Sequence, residues 1–309
     1  MVRKTYMITE AAIQLALFAV LFLIALYVPL IGVIATLFLA LPFIIFTIRH
    51  GYAYALLLLA ASLIISMLIG SLFSLPVALM FGTAGIAIGG MLAKNKSRHM
   101  ILLISALIFL INIVVDYAIS VKFLQMDIIQ ETISTFRQSF DTAMKMMKGM
   151  GQEPSPQLQE QFKQGLELVK YIVPTLFVLA SFLFAYITII VSVPVLKRLK
   201  LPVGTWPPFR DVTLPKGLLW IYVLVLALSF IPFEKGTFAY IAILNVYYVL
   251  QLLLMVQGFS FLYHVANKKN IPKGMVIGGT VFCLFLPFLL YLIAILGIID
   301  LGFDLRKRI

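Results

Sequence analysis

Charged residues are scarce in this sequence. Only 12% of the 309 residues are Asp, Glu, Lys or Arg, whereas 62% are hydrophobic and the mean hydropathy is +1.08. Because a soluble domain has about 25% charged residues, this composition excludes one and indicates an integral membrane protein. Cysteine is nearly absent as well: Cys283 is the only one, which excludes an internal disulfide.

Motifs of the common enzyme classes are also missing. The sequence has no P-loop, H-E-x-x-H, G-x-S-x-G or C-x-x-C pattern. The chain alone is therefore not an ATP-driven pump, and we predict no enzymatic activity, no cofactor and no metal site. The three histidines, His50, His99 and His264, all fall at predicted membrane boundaries, where they serve better as amphipathic boundary residues than as metal ligands.

What the sequence has is a series of long apolar runs. Each is long enough to cross a bilayer as a helix, and none alternates as a barrel strand would. We therefore predict an all-α polytopic membrane protein. Its nine predicted spans are 8–28, 31–48, 52–69, 74–92, 100–123, 168–196, 217–233, 237–264 and 274–298.

Basic residues separate these runs and predict their orientation. The net charge of +12 fits orientation in the lipid bilayer better than nucleic-acid binding, because cytoplasmic loops are enriched in Lys and Arg. The asymmetry predicts a multi-pass membrane protein with a cytoplasmic N-terminus. A nine-span count puts the basic tail, Arg306 to Arg308, outside, whereas a re-entrant last segment broken at Pro287 would put it inside.

Two polar stretches interrupt the spans. The outer stretch, 124–167, has apolar residues every three or four positions, which predicts a helical hairpin. Asp127 and Ser155-Pro156 are expected to start its two helices, and its stripes face either each other or the membrane surface. The inner stretch, 197–216, is rich in proline, which excludes a regular helix. Its Trp206, with Trp220 just after it, marks either the inner interface or a partner-docking site.

Small residues cluster in two spans. The first has an A-x-x-x-A pattern at Ala12 and Ala16, and the fourth has G-x-x-x-G at Gly85 and Gly89. Small residues four apart let helix backbones approach closely in lipid. Packing inside the bundle and docking of a partner helix both fit these patterns.

The order of these features resembles a known family. Residues 8–196 resemble the substrate-binding (S) component of energy-coupling factor (ECF) transporters, through "TEAA" before the A-x-x-x-A span, "YVPLIG" at 27–32, "LPFIIFTIRHGYAYALLL" at 41–58 and a glycine-rich fourth span. With its extra C-terminal spans and "PPFRDVTLP" at 207–215, the whole chain resembles the YybS-like family of bacterial membrane proteins.

This resemblance implies a location in the bacterial cytoplasmic membrane, a domain organisation and partners. Residues 1–196 would form a six-helix S-component-like domain carrying the outer hairpin, followed by a cytoplasmic loop at 197–216 and C-terminal transmembrane helices at 217–309. S components bind a vitamin or metal ion from outside and dock to a membrane T component coupled to two ATPases. Carried over to this sequence, the docking residues are Ala12 and Ala16. The three additional spans and the long hairpin depart from typical S components.

Asp116 is the charged residue that the apolar pattern explains least. It lies about 17 residues into the fifth span, and Asn112 is one helical turn earlier on the same face. Placing an ionised Asp at the centre of a membrane helix costs about 2.5–3.5 kcal/mol, so a lipid-facing position is unfavourable. On one interpretation, Asp116 and Asn112 contact a ligand, which is a cationic or amine-bearing solute or a metal ion. On the other, Asp116 has a structural role, in which it pairs with Lys122 or Lys170 or is protonated.

These observations favour uptake of a small solute by an S-component-like protein that works with a separate energising module. The alternative function is a membrane scaffold or assembly factor that holds a protein partner through the inner loop or the outer hairpin. An intramembrane protease is disfavoured, because an aspartyl protease needs two acids and Asp116 is the one convincing mid-span acid.

Overall fold

A computed structural model describes residues 2–151, 155–203 and 208–308 of the chain, and in these ranges the regular structure is helical, without strands. This confirms the predicted all-α class. The helices are α1 (Val2–Tyr27), α2 (Ile31–Phe38), α3 (Leu41–His50), α4 (Tyr52–Gly70), α5 (Leu75–Ala93), α6 (Arg98–Phe123), α7 (Ile128–Gly149), α8 (Pro156–Tyr171), α9 (Val173–Arg198), α10 (Gly217–Ser229), α11 (Phe238–Lys268), α12 (Lys273–Phe285), α13 (Pro287–Phe303) and α14 (Leu305–Arg308).

The predicted count of about nine spans is consistent with these helices. Within the described ranges, seven helical segments are long and apolar enough to cross a membrane, with α2 and α3 together forming one of them. The predicted ninth span is the pair α12 and α13, bent by 117°. The predicted seventh span contains α10, whose 13 residues rise only about 20 Å.

The chain forms two compact units. Unit 1 comprises residues 1–142 and 177–205, and unit 2 comprises residues 143–176 and 206–309. Unit 1 therefore contains the first five predicted spans and most of the sixth. The outer hairpin contributes to both units, because α7 is divided after Thr142 and α8 belongs to unit 2.

Glycines set the close packing of α3 on α5 in unit 1. A Cβ added to Gly85 would lie 2.6 Å from the backbone oxygen of Ala40, and one added to Gly89 would lie 2.6 Å from that of Ile44. No side chain fits such gaps, so only glycine permits this contact. The G-x-x-x-G pattern therefore serves packing inside the bundle.

Contacts at both ends of unit 1 agree with helices that alternate in direction. At one end, the Arg98 side chain donates a hydrogen bond of 2.7 Å to the Val203 carbonyl, joining the start of α6 to the chain after α9. At the end of α1, Tyr27 Oη donates to the Ile69 carbonyl of α4 at 2.7 Å. These are the pairings that antiparallel neighbours with short turns require.

The hairpin helices begin where the sequence predicts. The Asp127 carboxylate accepts hydrogen bonds from the N–H groups of Ile129 and Gln130, at 3.1 and 3.0 Å. Ser155 Oγ accepts one from the N–H of Leu158 at 3.2 Å, with Pro156 at the first helical position. Side-chain caps of this kind satisfy the free N–H groups of a first turn.

In unit 2, α11 packs closely against α13. Added Cβ atoms at Gly258 and Gly297 would lie 1.9 Å from the Ile293 carbonyl oxygen and 2.0 Å from that of Leu254. The two helix backbones therefore touch at this crossing. Leu254, Ala294 and Leu301 form a small buried core beside it.

Asn245 joins the first half of α11 to the start of α9. Its side chain accepts from the N–H and hydroxyl of Thr175, at 2.9 and 2.7 Å, and donates to the Tyr171 carbonyl at 2.7 Å. The bonds satisfy backbone groups left free where α8 ends and α9 begins, a requirement that is strict in lipid.

The basic tail lies beside the proline-rich segment. The Arg306 side chain donates to the Arg210 carbonyl at 2.8 Å, and the Lys216 ammonium pairs with the Asp304 carboxylate. The two segments are therefore on the same side, which fits the re-entrant alternative and corrects the nine-span placement of the tail on the opposite side. The described residues from 208 to 216 contain one short 3-10 turn, as the prolines predict, while Trp206 and Pro207 lie outside the described residues.

Candidate functional site

Asn112 and Asp116 both lie on α6, one turn apart. Asn112 is 8% exposed, and its amide donates to the Ile108 carbonyl of its own helix at 2.8 Å and to Thr83 Oγ1 of α5 at 3.2 Å. Asn112 therefore links α6 to α5 by a polar contact inside unit 1.

Asp116 is half-buried and differs from Asn112 in its contacts. Among the described residues of unit 1, no hydrogen bond or ion pair reaches its carboxylate. Lys122, one of the two predicted partners, does not pair with it, and Lys170 belongs to unit 2. The next residue, Tyr117, donates from Oη to the Asp127 carboxylate at 3.4 Å.

Asp116 lies toward the end of α6 that precedes the hairpin. It follows Arg98 by 18 residues, or about 27 Å along the helix axis, in a helix of 26 residues. A carboxylate at that depth interacts strongly with a nearby cation because the surrounding dielectric constant is low. Chemically, a carboxylate with this contact pattern suits a positively charged ligand.

The two predicted docking residues lie on the outside of α1. Ala12 and Ala16 are exposed, whereas the opposite face of α1 is buried. That buried face consists of Glu10, Gln14, Phe18 and Phe22. The exposure leaves the two alanines available to lipid or to a partner helix, so the docking role stays a prediction.

An ion cluster at the start of α1 was not predicted. Glu10, 5% exposed, pairs with the Arg49 guanidinium, and its carboxylate accepts a hydrogen bond from His50 Nε2 at 2.8 Å. His50 is therefore more than a boundary residue, because it helps to hold α1 against α3. The available signal was an acid inside the first span together with the "RH" pair at the end of the second.

A second unpredicted cluster is in unit 2. Asp300, 3% exposed, accepts hydrogen bonds from Gln257 and from Arg306 Nε, the latter at 2.9 Å. Arg306 also donates to Ser260 Oγ at 3.1 Å. The predicted last span ends at 298, which placed Asp300 in the polar tail, so its burial was missed.

Comparisons with known proteins agree with a membrane assignment. A family described as "Predicted membrane protein (DUF2232)" matches residues 16–301. The uncharacterized protein YybS of Bacillus subtilis (strain 168) is 34% identical over 310 residues, which cover 99% of each chain. No solved structure matches.

Proposed function

Because the chain belongs to the DUF2232 family of predicted membrane proteins, we propose that it binds a small cationic solute within the bacterial cytoplasmic membrane for uptake. The binding group is the carboxylate of Asp116, supported by Asn112 on the same face of α6. The energy for uptake comes from a separate module, a T component with two ATPases.

The observation that carries this proposal is the contact pattern of Asp116. An ionised Asp costs about 2.5–3.5 kcal/mol at the centre of a membrane helix and less toward the interface, and a carboxylate kept for structure alone would have its partner nearby. The described residues of unit 1 supply none. A bound cation would supply the missing charge and offset that cost.

The layout of unit 1 supports the S-component comparison. Its six membrane-crossing segments are α1, the pair α2 and α3, α4, α5, α6 and most of α9. Six crossings are the number expected of an S component, and the exposure of Ala12 and Ala16 leaves both alanines accessible to a T component.

Basic residues support a cytoplasmic N-terminus. Arg49, Lys94, Lys96 and Arg98 all lie at the turns that share an end of unit 1 with the start of α1. Since positive residues are retained in the cytoplasm, that end faces the cytoplasm, and Asp116 faces the outer half of the bilayer.

Affinity purification in mild detergent, followed by mass spectrometry of proteins and released small molecules, tests this function. Wild type is compared with Asp116→Asn and with Asp141→Asn, a matched change at an exposed position of α7. We expect an ATPase pair with all three proteins, and a cationic small molecule with wild type and Asp141→Asn but not with Asp116→Asn. Recovery of only non-ATPase membrane proteins, with no small molecule, would instead support the scaffold alternative.

A further inference from the structure

Unit 2 contains a cavity of about 240 Å³, whereas Asp116 belongs to unit 1. Backbone and side chains from the proline-rich segment, α11, α13 and the tail surround it. We call it the tail cavity, and its lining residues are Thr213, Leu214, Lys216, Gln257, Asp300, Leu301, Asp304, Arg306 and Lys307.

The lining of the tail cavity has an excess of positive charge. Its cations are Lys216, Arg306 and Lys307, and its acids are Asp300 and Asp304. Asp300 forms an ion pair with Arg306 and accepts a hydrogen bond from Gln257. Both lysines pair with the same oxygen of Asp304, Lys307 at 3.7 Å, so a single carboxylate serves two ammonium groups.

The Asp304 carboxylate is already paired with the two lysines. A hydrogen bond from Lys216, and then the charges of Lys216 and Lys307, hold the pKa of the Asp304 carboxyl below its usual range. Both acids of the cavity therefore have cationic partners, and a bound cation would have to displace one of them.

Hydrogen bonds hold the Arg306 guanidinium in place and leave some of its N–H donors without an acceptor among the described residues. Its guanidinium makes three hydrogen bonds, to Asp300, to the Arg210 carbonyl and to Ser260 Oγ. A guanidinium has five N–H donors, so two have no acceptor among the described residues. A planar, pre-positioned guanidinium is well suited to phosphate oxygens.

The tail cavity also lies at a suitable depth for a lipid head group. With 31 residues, α11 is about 46 Å long, whereas the hydrocarbon core is about 30 Å thick. Gln257 lies 11 residues, or about 16 Å, before the end of α11 at Lys268. The two lysines of the cavity lie at helix ends, because Lys216 directly precedes α10 and Lys307 follows the end of α13 at Phe303. The charged side of the cavity is therefore near the membrane–water boundary.

We propose that the tail cavity binds the phosphate group of an anionic ligand, supplied either by a phospholipid head group or by a soluble phosphate ester. Lys216, Lys307 and the free N–H groups of Arg306 contact the phosphate oxygens. The site is independent of the solute site at Asp116, because its residues belong to unit 2.

Binding to the delipidated full-length protein in detergent tests this site by isothermal titration calorimetry. The probes are short-chain phosphatidylglycerol, glycerol 1-phosphate and, as a zwitterionic control, phosphatidylcholine of the same chain length. Lys216→Gln with Lys307→Gln removes two cavity charges. Lys269→Gln with Lys273→Gln removes two exposed charges elsewhere in unit 2 and is the matched control.

We expect phosphatidylglycerol to bind wild type at least tenfold more tightly than the cavity double variant, and the control double variant to bind like wild type. Asp304→Asn frees both lysines and should tighten binding at least threefold, a gain that misfolding cannot produce. Glycerol 1-phosphate binding would identify a soluble ester as sufficient, and phosphatidylglycerol binding alone would identify a lipid. No binding of either anion, equal binding of phosphatidylcholine, equal losses in both double variants, or no gain in Asp304→Asn would overturn the proposal.

Discussion

Removing Arg306 should destabilise unit 2 far more than removing the neighbouring Arg308. In Arg306→Ala, the Asp300 carboxylate, 2% exposed in its side chain, loses its counter-ion and keeps only Gln257 as a partner. Breaking a buried ion pair by removing one partner costs about 3–5 kcal/mol, because an uncompensated charge remains buried. The Arg210 carbonyl and Ser260 hydroxyl lose a donor as well.

The free energy of unfolding, measured by SDS titration in mixed detergent micelles, checks this expectation. Arg308→Ala removes the same charge from an exposed position and should change that free energy by less than about 0.5 kcal/mol. Asp300→Asn combined with Arg306→Ala should recover at least half of the loss, since no buried charge is left. Equal stability of Arg306→Ala and Arg308→Ala would refute the claim that the pair is buried and coupled.

Three further predictions concern packing, docking and topology. Gly297→Ala should lose about 1–3 kcal/mol by overpacking against α11, measured by the same titration, whereas Gly279→Ala, with open space around it, should lose nothing. Ala12→Leu with Ala16→Leu should fold normally, because both positions are exposed, yet lose ATPase association in pull-downs; failure to accumulate would contradict this. In a Cys283→Ser background, an impermeant thiol reagent applied to intact cells should label Ser155→Cys but not Ser97→Cys, and the reverse pattern would invert the orientation.

The features of the fold that depend on neighbouring residues in the chain could be predicted from the sequence. Long apolar runs are helical in lipid because each backbone group needs a partner within the segment, so the spans were predictable. The helix starts at Asp127 and Ser155 were also predictable, because a side-chain cap involves only residues within one turn. The break at Pro287 follows from the missing N–H of proline.

What the sequence could not predict depends on residues far apart in the chain. Glu10 meets Arg49 and His50 across 39 and 40 residues, and Gln257 meets Asp300 across 43. A hydropathy profile treats each of these residues as an isolated polar position, so it could not predict which of them pair. The size of the bend between α12 and α13, 117°, is likewise a tertiary feature, because the break at Pro287 alone does not determine it.

Binding of a cationic solute at Asp116 can be detected from the mass of the small molecules that the intact protein retains. Native mass spectrometry of wild type, Asp116→Asn and Asp141→Asn, each purified identically, measures this retention. We expect a common adduct on wild type and Asp141→Asn. Asp116→Asn should bind this adduct at least tenfold more weakly, equivalent to ~1.4 kcal/mol, with unchanged thermal stability. An adduct that all three proteins retain equally, or an Asp116→Asn protein that retains it but melts much earlier, would instead assign Asp116 to the fold.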